Sequence, residues 1–232
     1  MKKSITFNFQ LSTFNFQLSI TSLVYAILLG SFSAHAQFPI AVSNSPIGKT
    51  IQPFKLRNID TKFVTINSTK DSVSTFNAPF PTIKGYIVVF TCNHCPFAKL
   101  YTQRFNDLNT KFKPLGVPLI AINSMDSVAY DDENYELMQE KAVIDKINFA
   151  YLQDGDQTVA KNFGADRTPH AYVIWEEKNQ WIIKYSGAID DNGEHPELAT
   201  PFIANAVQEL LDRKTVSIAE TESMGCKIFY RK

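Results

Sequence analysis

The sequence predicts one mixed α/β domain, and three observations carry that prediction. Tyr86-Ile87-Val88-Val89-Phe90 is a wholly apolar run of strand length. Val117-Pro118-Leu119-Ile120-Ala121-Ile122 is a second, and such runs suit strands covered on both faces, as in a parallel crossover. Between the two, Ala98, Tyr101, Phe105, Leu108 and Phe112 recur at three- and four-residue intervals, the period of an amphipathic helix. Strands alternating with helices build an α/β layer structure.

The start of the chain reads as a leader. Lys2 and Lys3 are the only charges before Lys49, and an apolar stretch from Leu23 to Leu29 follows them. Ala34-His35-Ala36 then has the small-x-small pattern of a cleavage site, so residues 1–36 are expected to be a signal peptide cut before Gln37. The apolar core is shorter than the ~20 residues that span a bilayer, so a membrane link is expected only if the leader stays uncut. Thr6-Phe7-Asn8-Phe9-Gln10-Leu11-Ser12 repeats verbatim at 13–19, too short a unit to be a structural repeat, and reads as a slipped duplication in a disposable segment. Residues 37–52, with Pro39, Pro46 and Gly48, read as a linker; residues 53–232 form the predicted domain.

The whole chain has 232 residues, with 23 Lys and Arg against 23 Asp and Glu. Without the two leader lysines the net charge is −2, which gives no electrostatic footprint for nucleic acid. All three cysteines, Cys92, Cys95 and Cys226, lie beyond the leader. An exported protein can keep a disulfide, and an odd count leaves one thiol without a partner in the chain.

The elements follow in order. Phe54-Lys55-Leu56 and Phe63-Val64-Thr65-Ile66 alternate apolar and polar and predict a hairpin turning around residues 58–61; residues 68–82 are polar, with Pro79 and Pro81, and read as a loop. The strand at 86–90 leads into a helix over 93–113, then the strand at 117–122. Residues 131–146 predict a helix, its acids Asp131, Asp132 and Glu133 at the start and Leu137, Ala142 and Ile144 among its apolar positions. A short strand at 148–152 and a short helix at 157–163, stopped by Gly164, come next. Residues 171–175 and 181–185 predict a second hairpin. Thr200-Pro201 looks like a cap and first position for a last helix bearing Ile203, Ala206, Val207, Leu210 and Leu211.

Cys92 and Cys95 carry the chemistry. Spaced C-x-x-C where a buried strand turns into a helix, the first sulfur can meet unpaired backbone N–H groups and the positive end of the helix dipole. That position favours a thiolate, the nucleophilic form. Cys92 is therefore expected to attack and Cys95 to resolve the mixed disulfide. A zinc site would need a second ligand pair, and none has that spacing. His94, if protonated, would lower the Cys92 pKa further; otherwise it is a solvent-facing side chain. Thr168-Pro169, just before a strand, is compatible with a trans bond marking the boundary or a cis bond shaping a substrate groove, to which His170 would add a polar group. Cys226 is either a third redox partner or a small hydrophobe packed by Ile228 and Phe229; the sequence favours the second, because lone cysteines are often buried and inert.

These residues resemble a known family. Cys92-Asn93-His94-Cys95-Pro96 followed by Phe97, Thr168-Pro169 before a later strand, Gly187-x-Ile189-Asp190-Asp191-Asn192, and a terminal Gly225-Cys226-x-Ile228 are similar to the thioredoxin superfamily, in its peroxiredoxin-like branch of alkyl hydroperoxide reductase/thiol-specific antioxidant (redoxin) domains. The likeness runs from about Phe54 to the C-terminus. It implies a thioredoxin-like fold, a central mixed sheet flanked by helices, with Cys92 as nucleophile, Cys95 as resolving thiol and Pro169 in cis. The peroxidatic pattern P-x-x-x-T-x-x-C is missing: Gly85 and Val89 stand at its places counted from Cys92, Val88 and Cys92 counted from Cys95. The buried acid that thioredoxins place six residues before the first cysteine is replaced by Tyr86, so another group or water must manage proton transfer to Cys95.

The expected function is an extracytoplasmic, periplasmic-type thiol–disulfide oxidoreductase acting on a protein disulfide or dithiol. It needs a redox partner to reset it, and neither a cofactor nor a metal. Two alternatives are a thiol peroxidase using Cys92 and Cys95, and a copper-binding protein using Cys92, Cys95 and a histidine such as His94 or His170.

Overall fold

The computed structural model describes residues 45–67 and 82–231. The predicted leader, the first half of the linker (37–44) and nearly all of the 68–82 loop lie outside the described residues; the second half of the linker is described and holds a short strand at Thr50–Ile51. Among the described residues, no helix is long and apolar enough to cross a membrane.

The strands are β1 (Thr50–Ile51), β2 (Phe54–Asn58), β3 (Phe63–Ile66), β4 (Gly85–Thr91), β5 (Leu119–Asn123), β6 (Ala150–Gln153), β7 (Arg167–Thr168), β8 (His170–Glu177), β9 (Gln180–Gly187) and β10 (Cys226–Lys227). Eight form one mixed sheet in the order β1-β9-β8-β4-β5-β6-β2-β3, and β7 with β10 makes a separate two-stranded ribbon. The β4–β5 and β5–β6 pairs are parallel; β8 joins β4 antiparallel. Every residue of β4 and β5 is buried, as their unbroken apolar composition requires of central strands.

The helices are α1 (Pro96–Lys99), α2 (Thr102–Phe112), α3 (Tyr135–Ile144), α4 (Thr158–Phe163) and α5 (Phe202–Leu211). Alternate residues of β4 feed two cores. Ile87 and Val89 pack with Phe105 and Phe112 of α2, Met138 of α3 and Ile203 and Val207 of α5. Val88 and Phe90 pack with Ala160 and Phe163 of α4, and with Cys92, Cys95 and Ile228. Burying each large apolar side chain contributes roughly 1.5–3 kcal/mol, so the sheet between two covered faces dominates the stability.

Both expected hairpins form. Phe54 pairs with Ile66, and Glu177 with Gln180 across Lys178 and Asn179, which both take positive φ, as a two-residue primed turn needs. The expected helix over 93–113 is instead two helices. Cys95 stands just before the first, Pro96 opens it, and the helix is interrupted at Leu100 and Tyr101 before α2 begins. The helix expected over 131–146 starts later too. Asp131–Glu133 is a single 3₁₀ turn, and Asn134 caps α3 by accepting the Leu137 N–H at 2.9 Å. Its buried face is Tyr135, Met138 and Ala142, whereas Ile144 is exposed. The last helix begins at Phe202, one residue beyond the expected start.

Candidate redox site

The site lies at the carboxyl ends of the parallel strands, the usual place for chemistry in an α/β sheet. Cys92 follows β4 directly and is 0% exposed. Its sulfur is 3.1 Å from the Thr168 hydroxyl and accepts the backbone N–H of Cys95. Cys95, also 0% exposed, stands at the N-cap position of α1 without a side-chain capping bond. Its sulfur is bonded to Cys226, with the two Cα atoms 6.0 Å apart, and lies 3.3 Å from the Thr168 carbonyl oxygen. The structure thus corrects two expectations. The closed disulfide is Cys95–Cys226, not Cys92–Cys95, and Cys226 is not an inert packed thiol.

The reason is tertiary. β10 pairs antiparallel with β7, placing Cys226 opposite Thr168 and Lys227 opposite Arg167. Gly225 makes that approach possible: a Cβ there would lie 2.1 Å from the Thr168 carbonyl oxygen. All three cysteines therefore meet around one buried threonine, from segments more than fifty residues apart in sequence.

A carboxylate that the sequence did not single out organises the loop between Cys92 and Cys95. Glu133 is 1% exposed. Both its oxygens accept the Asn93 N–H at 3.0 Å, one accepts the His94 N–H at 2.9 Å, and the other accepts the Asn123 side-chain amide at 2.6 Å. The His94 ring nitrogen Nδ1 is in close contact with the same carboxylate, and the ring stacks on Tyr130 at 5.3 Å. Tyr151 on β6 donates to the Asn93 side chain at 2.9 Å. The only sequence signal for Glu133 was its place in an acidic run, which reads as a helix start.

These neighbours invert the expected electrostatics. Burial first, and then the Glu133 charge, push the Cys92 thiol up to about 11; the Thr168 hydroxyl and the Cys95 N–H act in the opposite sense and lose. Two backbone donors that would otherwise be free to favour a thiolate, those of Asn93 and His94, are spent on Glu133 instead. His94, expected to add a positive charge beside Cys92, sits against that carboxylate. Tyr86, at the position of the missing acid, packs on Trp181 with ring centroids 5.1 Å apart.

The Thr168–Pro169 bond is cis. Pro169 lines an open groove of about 480 Å³ with Phe97, Leu100, Ala188 and Met224. Phe97 is 45% and Met224 71% exposed, so the floor and rim offer apolar surface to a partner. Thr168 and His170 do not line it. Thr168 is buried among the sulfurs, and His170 stacks on Tyr172 at 4.5 Å with Nε2 3.1 Å from the Ser186 hydroxyl. Burial lowers the His170 pKa to about 4, only partly opposed by Asp166. The sequence placed His170 in the groove because it follows Pro169; the strand's alternation turns it to the other side.

The copper set expected from Cys92, Cys95 and a histidine is not assembled, because Cys95 is held in a disulfide and His170 faces Ser186. Ligand atoms of Cys92, His94 and Glu133 do lie within 4.8 Å of one another. The carboxylate of that trio is already filled by hydrogen-bond donors.

A mixed sheet with helices on both faces and a cysteine cluster at its carboxyl edge defines a thioredoxin-like protein. The model of the AhpC/TSA family matches residues 47–192, and the chain belongs to that family, in the redoxin branch of the thioredoxin superfamily. Among solved structures it is similar to an uncharacterized conserved protein from Geobacillus kaustophilus, with 30% identity over 80% of this chain and 93% of the other, and a TM-score of 0.68. It is also similar to a hypothetical protein from Sinorhizobium meliloti, with 27% identity over 80% and 94% of the two chains and a TM-score of 0.67. No curated protein matches the chain in sequence. The family makes the chain an oxidoreductase in the general sense.

Proposed function

We propose that this chain is an extracytoplasmic thiol–disulfide oxidoreductase acting on protein dithiols or disulfides. The observation that carries the reading is the convergence of three sulfurs on Thr168, two of them joined and the third held beside them. A partner dithiol would give two electrons to the disulfide and leave as a disulfide, while Cys95 and Cys226 become thiols; the reverse transfer uses the same atoms. The apolar groove beside Pro169 suits an unfolded or loop segment of a polypeptide better than a small peroxide.

The compartment is part of the proposal. A disulfide between distant segments persists where the surroundings are oxidising, and the leader at residues 1–36 would deliver the chain there. The mature protein should begin at Gln37; N-terminal sequencing of the exported form tests this.

Activity is tested by following reduction of an added protein disulfide, with dithiothreitol as the electron source. Turnover should be lost in Cys95→Ser, because that change leaves Cys226 without its disulfide partner. Turnover unchanged in Cys95→Ser would sink the reading. The peroxidase alternative is separated by hydrogen peroxide consumption at substoichiometric protein; the absent peroxidatic pattern predicts little.

A further inference from the structure

Cys95 has a possible sulfur partner on each side. Cys226 is bonded to it and is partly exposed, while Cys92, fully buried, accepts the Cys95 N–H on its own sulfur. We propose that the disulfide migrates within the chain between Cys95–Cys226 and Cys92–Cys95, with Cys95 common to both and Cys226 the sulfur that meets the partner. This deepens the oxidoreductase reading and rests on it.

Access supports the division of roles. Neither Cys92 nor Cys95 has exposed surface, so an incoming protein thiolate can reach only Cys226. Attack there forms a bond between the partner sulfur and Cys226 and breaks Cys95–Cys226, releasing Cys95 as a thiolate that takes a proton. The partner's second thiolate then closes its own disulfide, and Cys226 leaves as the thiol. In the internal step the Cys92 thiolate attacks the Cys95 sulfur. The Cys92–Cys95 bond forms, Cys95–Cys226 breaks, and the proton given up by Cys92 ends on Cys226. That step is an isomerisation and needs no oxidant or reductant.

The C-terminal segment is fastened independently of the sulfur bond, so Cys226 stays near when that bond opens. Ile228 is buried in the core and donates its N–H to the Asp166 carbonyl at 2.8 Å. Gln157 donates to the Phe229 carbonyl at 3.0 Å and accepts the Arg231 N–H at 2.8 Å. Arg231 pairs with Asp126 at 2.5 Å. A tethered thiol at this distance acts at a high effective concentration, which makes re-closure fast. Thr168 serves both states. Its hydroxyl lies against Cys92, and its carbonyl lies where a reduced Cys95 thiol would donate.

The test is peptide mapping of disulfide connectivity after acid quench, in wild type, Cys226→Ser and Cys92→Ser, each oxidised with glutathione disulfide. Wild type should yield Cys95–Cys226 with a Cys92–Cys95 fraction that grows between pH 7 and 9.5. Cys226→Ser should yield only Cys92–Cys95, and Cys92→Ser only Cys95–Cys226. Reduction of the oxidised Cys226→Ser protein by dithiothreitol should be at least tenfold slower than that of wild type, since its remaining disulfide is buried. Absence of Cys92–Cys95 in both wild type and Cys226→Ser overturns the migration. An unchanged reduction rate in Cys226→Ser overturns the role of Cys226, while the oxidoreductase reading stands as long as protein disulfides are still turned over. If wild type itself turns over none, the oxidoreductase reading fails, whatever the connectivity.

Discussion

Glu133 holds the backbone of Asn93, with both carboxylate oxygens 3.0 Å from its N–H. This buried charge fixes the loop between the two cysteines of the motif and raises the Cys92 pKa. Glu133→Gln keeps an acceptor but removes the charge. It should cost about 2–3 kcal/mol of stability through weakened hydrogen bonds to a charged group. It should also lower the Cys92 pKa, so that the ultraviolet absorbance of the Cys92 thiolate, read as the difference from the matching Cys92→Ala protein, rises at lower pH than in wild type. Coincident titration curves would mean that the carboxylate does not act on the thiol.

Cys92 itself makes stability depend on alkaline pH. Its folded-state pKa of about 11 exceeds the ordinary 9.0, so the fold retains a proton that the unfolded chain gives up. The contribution is full below pH 9 and is lost as pH rises through 11, amounting to roughly 2–3 kcal/mol. Urea unfolding stability of wild type should fall between pH 9 and 11 more steeply than that of Cys92→Ala. The raised tyrosines, such as Tyr86 and Tyr172, contribute equally to both proteins. Parallel curves would refute the assignment.

His170 has the opposite sense. Its folded-state pKa of about 4 is below the ordinary 6.5, so the unfolded chain binds the extra proton first. Stability is full above pH 6.5 and is lost as pH falls towards 4, by up to about 3 kcal/mol. His170→Phe should flatten the stability profile between pH 6.5 and 4.5 in thermal melts.

Gly225 sets the approach of the C-terminal segment. In Gly225→Ala the new methyl would meet the Thr168 carbonyl, so β10 must move away from β7. The Cys95–Cys226 bond should fail to close, and thiol counting with Ellman's reagent on the unfolded oxidised protein should rise above wild type. Loss of a disulfide closing so long a loop should cost about 2–5 kcal/mol. A wild-type thiol count would show that the close approach is not required.

The central strands were legible because their composition is unbroken: residues 86–90 and 117–122 can only be buried, and the helix at 102–112 repeats with its own period. The hairpin at 171–185 was legible for the same local reason. The break between α1 and α2 was not, because Ala98 and Tyr101 keep a helical spacing across it although they face different cores. Glu133 was not legible either. An acidic run before a helix looks the same whether its last member faces water or the N–H groups of Asn93 and His94.

By itself, then, the sequence determined the α/β class, the strand that delivers Cys92, and the pair of cysteines at its end. Those follow from local periodicity and from the spacing of neighbouring residues. Which sulfurs bond, and what charge Cys92 carries, were decided only by the tertiary structure. Cys226 reaches Cys95 through a two-residue ribbon with Arg167 and Thr168, and Glu133 reaches the motif across forty residues. Disulfide choice and thiol pKa depend on distances of a few ångströms between remote segments, and no local pattern encodes them.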